Sequence, residues 1–505
     1  MVPKNLVNGR LASPDVSLPI HAFISTASPS QKPIAEALVK LIQNRARGFN
    51  PPDTFGSSQN VQALGHESLL PALVKSKSMA ESPPKITIGS RQCQKPYPAS
   101  YLNASALSFG PMGKPFILAL NQAARQGGFY QNTGEAGLSP FHLGRDVNIE
   151  DPDFNANAFF ATLTPEQLEE TGDLVWQLGN GYFGCRNPDG SFAPDLFEQK
   201  ALLSPVKMIE IKLSQGVEPA AHMPVKEVTL GMTRLMGIEQ GAHAKLESAH
   251  SAFSTPVELL RFVKTLRALS GGKPIGVKMG VSHRHYVFAL CKAMRKTGIL
   301  LDFITVDGME AGTAAAGAGT LGFTGTALHD AVLFVHNALT GCHLRCEVKI
   351  IASGQVFTEH QMVSLLARGA DSFATARAML LAVGCDQQLE CQKGNCTRGI
   401  ATQEPHLLSK FNIEQNVKAL YQFHRLTIES LQGLIAIAGL EHPQALQPFH
   451  LQKRVSISEV LLLDEIYHFI KPGSLLSWVP WRFPREYARA WRKANPVDPF
   501  TAPRL

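Results

Sequence analysis

The stretch "VKMIEIKLSQG", Val206–Gly216, is an almost continuous apolar run that ends abruptly in a serine, a glutamine and a glycine. A strand of that composition has to bury both faces, which is the signature of a parallel sheet covered by helices. Seven other runs share its rhythm: "LNASALSFG" (102–110), "GGFYQNTGEAG" (127–137), "DLVWQLGNG" (173–181), "PIGVKMG" (274–280), "DFITVDG" (302–308), "EVKIIASGQ" (347–355) and "DSFATARAM" (371–379). Between them lie amphipathic stretches long enough for crossover helices. Eight such units predict an α/β protein with a closed parallel barrel, the (β/α)8 TIM barrel; an open doubly wound sheet is the alternative.

Working outward, residues 1–85 read as an N-terminal arm and linker, with one amphipathic segment, "IAEALVKLIQNRA", before a Pro/Ser-rich tract ending "KSKSMAESPPK". Residues 86–404 hold the barrel and a cysteine-bearing segment, and residues 405–505 form a helical C-terminal extension typified by "NVKALYQFHRLTIESLQGLIAIAGL". A long polar insertion containing "HLGRDVNIEDPDFNANAFF" is expected to wall the face of the barrel that carries function.

Composition bounds the function classes. The 505 residues are 44% hydrophobic and 18% charged, near globular averages, so neither disorder nor a coiled coil dominates. A net charge of +7 is mild for this size, and no nucleic-acid module is recognisable. The N-terminus lacks a secretory h-region, and no apolar run approaches the roughly 20 residues of a membrane span. Eight cysteines, three of them clustered, suit metal or redox chemistry in a reducing compartment, so a cytoplasmic location is expected.

In such a barrel the residues just past each strand's carboxyl end converge on one face. They are Ser105, Ser108 and Gly110; Asn132, Thr133, Gly134 and Glu135; Ser214, Gln215 and Gly216; Lys278; Asp307, Gly308 and Glu310; Ser353, Gly354 and Gln355; and Ala374, Thr375 and Ala376. Small residues after the seventh and eighth strands, beside a helix start, offer backbone N–H donors and close approach, which a phosphate-bearing cofactor needs; singly, each glycine only turns the chain. Lys278 on a buried strand requires a partner. A flavin's pyrimidine edge, whose negative charge grows on reduction, would serve, as would an ion pair with Asp307 or Glu310. Cys385, Cys391 and Cys396 follow directly. Three thiolates suit an iron–sulfur cluster better than tetrahedral zinc, although His, Asp or Glu could complete a zinc site.

The cysteine segment with its tail, "CTRGIATQ", resembles the [3Fe-4S] signature of the FMN-binding domain of glutamate synthases, and "SALSFGPMG", "NTGEAGLSP", "GYFGCR", "KMIEIKLSQG", "LSGGKPIGVKMG", "FITVDGMEAGT" and "ATARAML" resemble that family's barrel motifs in order. The resemblance covers roughly residues 85–470 and is specific to the short, stand-alone proteins of the family. It implies an FMN-bearing barrel in which hydride reaches 2-iminoglutarate, formed from 2-oxoglutarate and ammonia. By the same resemblance Cys385, Cys391 and Cys396 hold the cluster. Ser105, Ala106, Lys278, Ser353, Gly354, Thr375 and Ala376 face FMN, with Gln355 and Ala374 beside them on the rim. Gln215 lies near flavin or substrate, and Glu135 lines the substrate cavity. Implied partners are a separate electron donor, either a ferredoxin or a reductase subunit, and, since residue 2 is valine rather than a cysteine nucleophile, free ammonia or a partner amidotransferase.

The chain also departs from the family pattern. Glu218 stands where a lysine is usual and Met236 where an arginine is usual, with Arg234 two positions earlier; Thr397 replaces a proline after the last cysteine. A carboxylate at 218 would repel a dicarboxylate substrate. These changes leave open a different oxo acid or imine as substrate, or a non-catalytic subunit for electron relay or assembly.

Overall fold

A computed structural model describes residues 32–50, 60–76, 82–216, 228–239, 249–312, 323–477 and 484–500. A short strand β1 (Glu67–Leu69) and a hairpin of β2 (Lys85–Ile88) and β3 (Tyr97–Ser100) come first. Eight barrel strands follow: β4 (Leu102–Ala104), β5 (Gln131–Asn132), β6 (Leu174–Leu178), β7 (Val206–Lys212), β8 (Ile275–Gly280), β9 (Phe303–Asp307), β10 (Lys349–Ser353) and β11 (Ser372–Thr375). They run parallel, and β11 returns to β4 through the pairs Phe373–Leu102, Ala374–Asn103 and Thr375–Ala104, closing the ring. Each of the eight apolar runs supplies one strand, and closure excludes the open sheet. Every residue of β6, β8, β9 and β11 is buried, because the bore is filled from within and helices cover the outside.

Two aspartates latch the amino ends of the strands. The buried Asp302 carboxylate accepts the amides of Ser90 and Ile275, both at 2.7 Å, and pairs with Arg267 at 2.8 Å. Asp371 does the same for Ile350 N (2.7 Å) and Arg345 (2.8 Å). Charged acceptors satisfied by backbone donors and a guanidinium can stay ionised in a dry interior.

The arm is strapped down rather than trailing. Its helix Glu36–Ala46 sends Arg45 to Glu359 on the barrel and to the helix Ile413–Ile437. Strand β1 pairs antiparallel with β12 (Leu451–Arg454), which pairs in turn with β13 (Val460–Leu462), so the extension is not wholly helical. Glu67 of β1 binds Arg368 at 2.6 Å and Lys453 at 3.2 Å. The last helix, Arg485–Lys493, docks through Trp491, whose ring meets Phe288 edge-on at 5.4 Å and lies 4.4 Å beneath the Lys292 ammonium. Trp478, Trp481 and Arg482 of the same basic, aromatic stretch lie outside the described residues.

Buried ionisable groups make this packing acid-sensitive. His424 is wholly buried, with Nε2 3.0 Å from both Ser100 Oγ and Leu102 O. Burial pushes its pKa down to about 4 from 6.5, and the Leu102 carbonyl only partly opposes that. An unfolded chain takes up this proton near pH 6.5 and the folded one only near 4, so the stability contributed by the neutral ring is present above pH 6.5 and lost as pH falls to about 4, roughly 3 kcal/mol in full. Burial would raise Glu67, but Arg368, Ser364 and Lys453 hold it at about 2, so its contribution is lost further down, as pH falls below 4.5. Urea midpoints are expected to drop steeply between pH 6.5 and 4, and less so in His424→Gln. A flat profile over that range would contradict this account.

Candidate active site

A cation sits in the bore near its carboxyl end. Lys278 is buried on β8, with Nζ 3.4 Å from Asp307 Oδ2 at the end of β9. Asp307 Oδ2 also accepts the Gly216 amide at 3.0 Å. Next to them Glu210 of β7 is buried and saturated: Oε1 accepts Asn132 Nδ2 (2.8 Å) and Gln177 Nε2 (2.7 Å), and Oε2 accepts the Thr305 hydroxyl (2.5 Å). Burial disfavours the ammonium of Lys278, yet Asp307 and Glu210, with Glu135 further off, outweigh it and hold its pKa above the ordinary value. Lys278 is therefore a fixed positive charge. Of its two candidate ion-pair partners, Asp307 is the one it meets, while both oxygens of Glu310 accept the Leu328 amide, at 3.0 and 3.1 Å. Sequence reasoning missed Glu210. The signal was available: an acid in the middle of "VKMIEIK", where both strand faces are covered.

Glu135 lies at the mouth, its carboxylate 2.5 Å from Lys212 Nζ. The Lys212 carbonyl accepts His250 Nε2 at 2.9 Å, and His250 Nδ1 is 3.1 Å from the Tyr182 hydroxyl. Burial lowers the pKa of that imidazole, despite opposing pulls from the Lys212 carbonyl and Glu135. Gln215 flanks the tightest point of the rim. A Cβ on Gly216 would fall 1.9 Å from the Gly308 carbonyl oxygen, so only glycine lets the loops after β7 and β9 touch.

The opposite part of the rim is lined by small residues. Ser105 Oγ and Ser353 Oγ are 3.2 Å apart, with Ala106, Gly354 and Gln355 half-buried beside them. Ser353 and Ala374 are register partners, and the buried Thr375 hydroxyl has no hydrogen-bond partner among the described residues. The helix that Ala376 opens, Arg377–Ala382, has only six residues, so its dipole adds little. The orphaned buried donor and the small side chains around it suit a phosphate, and argue for a ligand more strongly than the helix end does.

Cys385 and Cys396 are half-buried and Cys391 exposed. Burial, then the neighbouring thiols, raise Cys385; burial, then Cys396, raise Cys391, against the pull of Arg377. The three sulfurs thus lie within one another's field, and soft thiolates match iron. No group of three His, Cys, Asp or Glu side chains among the described residues closes to metal-binding geometry, so donor chemistry fits a cluster while the spacing stands open.

The family pattern described as the conserved region in glutamate synthase matches residues 59–441. The glutamate synthase large subunit-like protein YerD of Bacillus subtilis is 30% identical over 384 residues, covering 75% of this chain and 68% of that protein. The chain belongs to the glutamate synthase family. Two further relatives share less identity with it. The archaeal-type glutamate synthase (NADPH) of Thermotoga maritima is 26% identical over 347 residues, and the archaeal glutamate synthase (NADPH) of Methanocaldococcus jannaschii 25% over 345; each match covers 68% of this chain. The chain spans 60% and 59% of those two proteins' lengths. Among solved structures, mandelate oxidase with (S)-2-phenylpropionate has a similar outline (TM-score 0.43, 13% identity, 84% of this chain and 98% of that one).

Within this glutamate synthase family member the matched span takes in the whole barrel, the cysteine segment and the helix Ile413–Ile437. Arg234 does not supply a cation to the mouth: its guanidinium donates to the Asp151 carbonyl and, at 2.8 Å, to that of Pro152. Those carbonyls belong to the polar insertion, whose Glu150 also accepts the Gly231 amide at 3.0 Å and so seats the helix Leu230–Met236. Met232, Leu235 and Met236 instead close, with Phe109 and Leu138, around a crevice of about 10 Å³, space for a single water. Glu218 lies outside the described residues. No helix among the described residues is long and apolar enough to cross a membrane.

Proposed function

We propose that this chain is an FMN- and iron–sulfur-dependent oxidoreductase of glutamate synthase type, converting 2-oxoglutarate and ammonia, through 2-iminoglutarate and with loss of water, to L-glutamate. The observation that carries the proposal is the fixed ammonium of Lys278, buried in the bore between Asp307 and Glu210. A bound FMN would supply the hydride, its two electrons coming from a separate donor, a ferredoxin or a reductase subunit. Lys278 would meet the cofactor's pyrimidine edge and stabilise charge that develops there. Ser105, Ala106, Ser353, Gly354, Gln355, Ala374, Thr375 and Ala376 would line its remaining surface, the last of these nearest the phosphate. Glu135, oriented by Lys212, and Gln215 would face the substrate. Cys385, Cys391 and Cys396 would hold a [3Fe-4S] cluster. Nitrogen would arrive as free ammonia or from a partner amidotransferase.

A second reading keeps the cofactors and changes the substrate. Arg234, the cation of the helix Leu230–Met236, is turned to the Asp151 and Pro152 carbonyls, which favours an oxo acid with an apolar side chain over one with a second carboxylate. Anaerobically reduced protein, mixed with 2-oxoglutarate and ammonia in a stopped-flow spectrophotometer, is expected to be reoxidised. Reoxidation by apolar oxo acids alone would establish the second reading. An iron-free, colourless preparation that stays so after reconstitution would end both.

A further inference from the structure

Arg377 is the first residue of the helix that follows β11, yet its guanidinium lies on the loop that follows β9, two strands away. A Cβ on Gly312 would fall 2.0 Å from Arg377 Nη2, so the glycine is what lets the guanidinium rest there. Strand β10 lies between β9 and β11 and ends in Ser353, followed by Gly354, on the same face of the barrel. The side chain thus joins the loops after β11 and β9, and the end of β10, with Ser353 and Gly354, lies between those two strands in the ring.

Several buried or half-buried arginines here are paired with carboxylates, Arg45 with Glu359, Arg267 with Asp302, Arg345 with Asp371, Arg368 with Glu67 and Arg425 with Glu429, while Arg186, Arg234 and Arg454 donate to backbone carbonyls. Arg377 is half-buried and has no hydrogen bond or ion pair among the described residues. The stretch continuing from Gly312, residues 313–322, contains no Asp or Glu. A partly desolvated guanidinium without a counterion is costly, and its planar fork matches phosphate oxygens. Its positive charge is felt at the Cys391 thiol, which it pulls down against burial and Cys396.

We infer that Arg377 is the cation that receives the phosphate monoester of the bound flavin, in an inference that rests on the FMN reading above. The test compares FMN with riboflavin, which lacks the phosphate, by quenching of flavin fluorescence on the full-length apoprotein. Wild type is expected to prefer FMN. Arg377→Met is expected to weaken FMN at least 10-fold and leave riboflavin unchanged, collapsing that preference, and Arg377→Lys to lose less. Gly312→Ala, which displaces the guanidinium without removing it, is expected to reproduce the loss. Equal weakening of both flavins, or an unchanged FMN affinity, would overturn the assignment while leaving the FMN reading intact. A wild type that binds neither flavin would overturn both.

Discussion

Arg45→Met is expected to lower the unfolding free energy by roughly 3–5 kcal/mol, the usual consequence of removing one member of a buried ion pair. Arg45 has 2% of its side chain exposed, and its two terminal nitrogens meet Glu359 Oε2 at 2.9 Å and Oε1 at 3.0 Å. The same nitrogens donate to Ser430 Oγ at 3.1 Å and Thr427 Oγ1 at 3.4 Å. One guanidinium thus joins the arm's helix, the barrel helix Glu359–Leu366 and the helix Ile413–Ile437. Burial would raise the Glu359 carboxyl, but Arg45 overcomes it and holds the group below its ordinary value. In the variant that carboxylate stays buried without its partner, so the cost is largely its desolvation rather than the value of the pair. Arg45→Met combined with Glu359→Gln should recover part of the loss, which urea unfolding in a double-mutant cycle would read. A single-variant loss under about 1 kcal/mol would mean that the arm contributes little to holding the barrel.

Lys278→Met is expected to slow reoxidation of the reduced protein by oxo acid and ammonia at least 100-fold, the scale for removing one preorganised electrostatic partner. The variant also leaves the buried Asp307 without its cation, still accepting the Gly216 amide. Circular dichroism and flavin content separate a folding defect from a catalytic one. Lys278→Arg keeps the charge but not the shape and should retain part of the rate. If Lys278→Met stays folded, keeps its flavin and turns over within about threefold of wild type, the ammonium has no role in the chemistry.

Much of the scaffold was legible before any coordinates. Eight apolar runs with polar or glycine ends gave eight barrel strands, because strands buried on both faces tolerate few polar residues and the pattern survives without knowledge of neighbours. Lys278 stood out for the same reason: a charge in such a run must be paid for by a partner. The three clustered cysteines, too, were visible as a group, although the structure leaves their spacing open.

Which partner answers which charge was decided only in three dimensions. Lys278 had Asp307 and Glu310 available; it meets Asp307, while Glu310 accepts the Leu328 amide. Glu210 acquired meaning only once Asn132, Gln177 and Thr305 from three other strands converged on it. Arg234 stands two positions before the site where an arginine is usual, and the insertion's carbonyls hold its guanidinium. Arg45, read as part of a lead-in arm, proved to be a clasp. Burial and alternation are local properties, recorded residue by residue along the chain. Electrostatic pairing acts through space and falls off within a few ångströms, so it depends on contacts between residues hundreds of positions apart, and the tertiary fold alone brings those together.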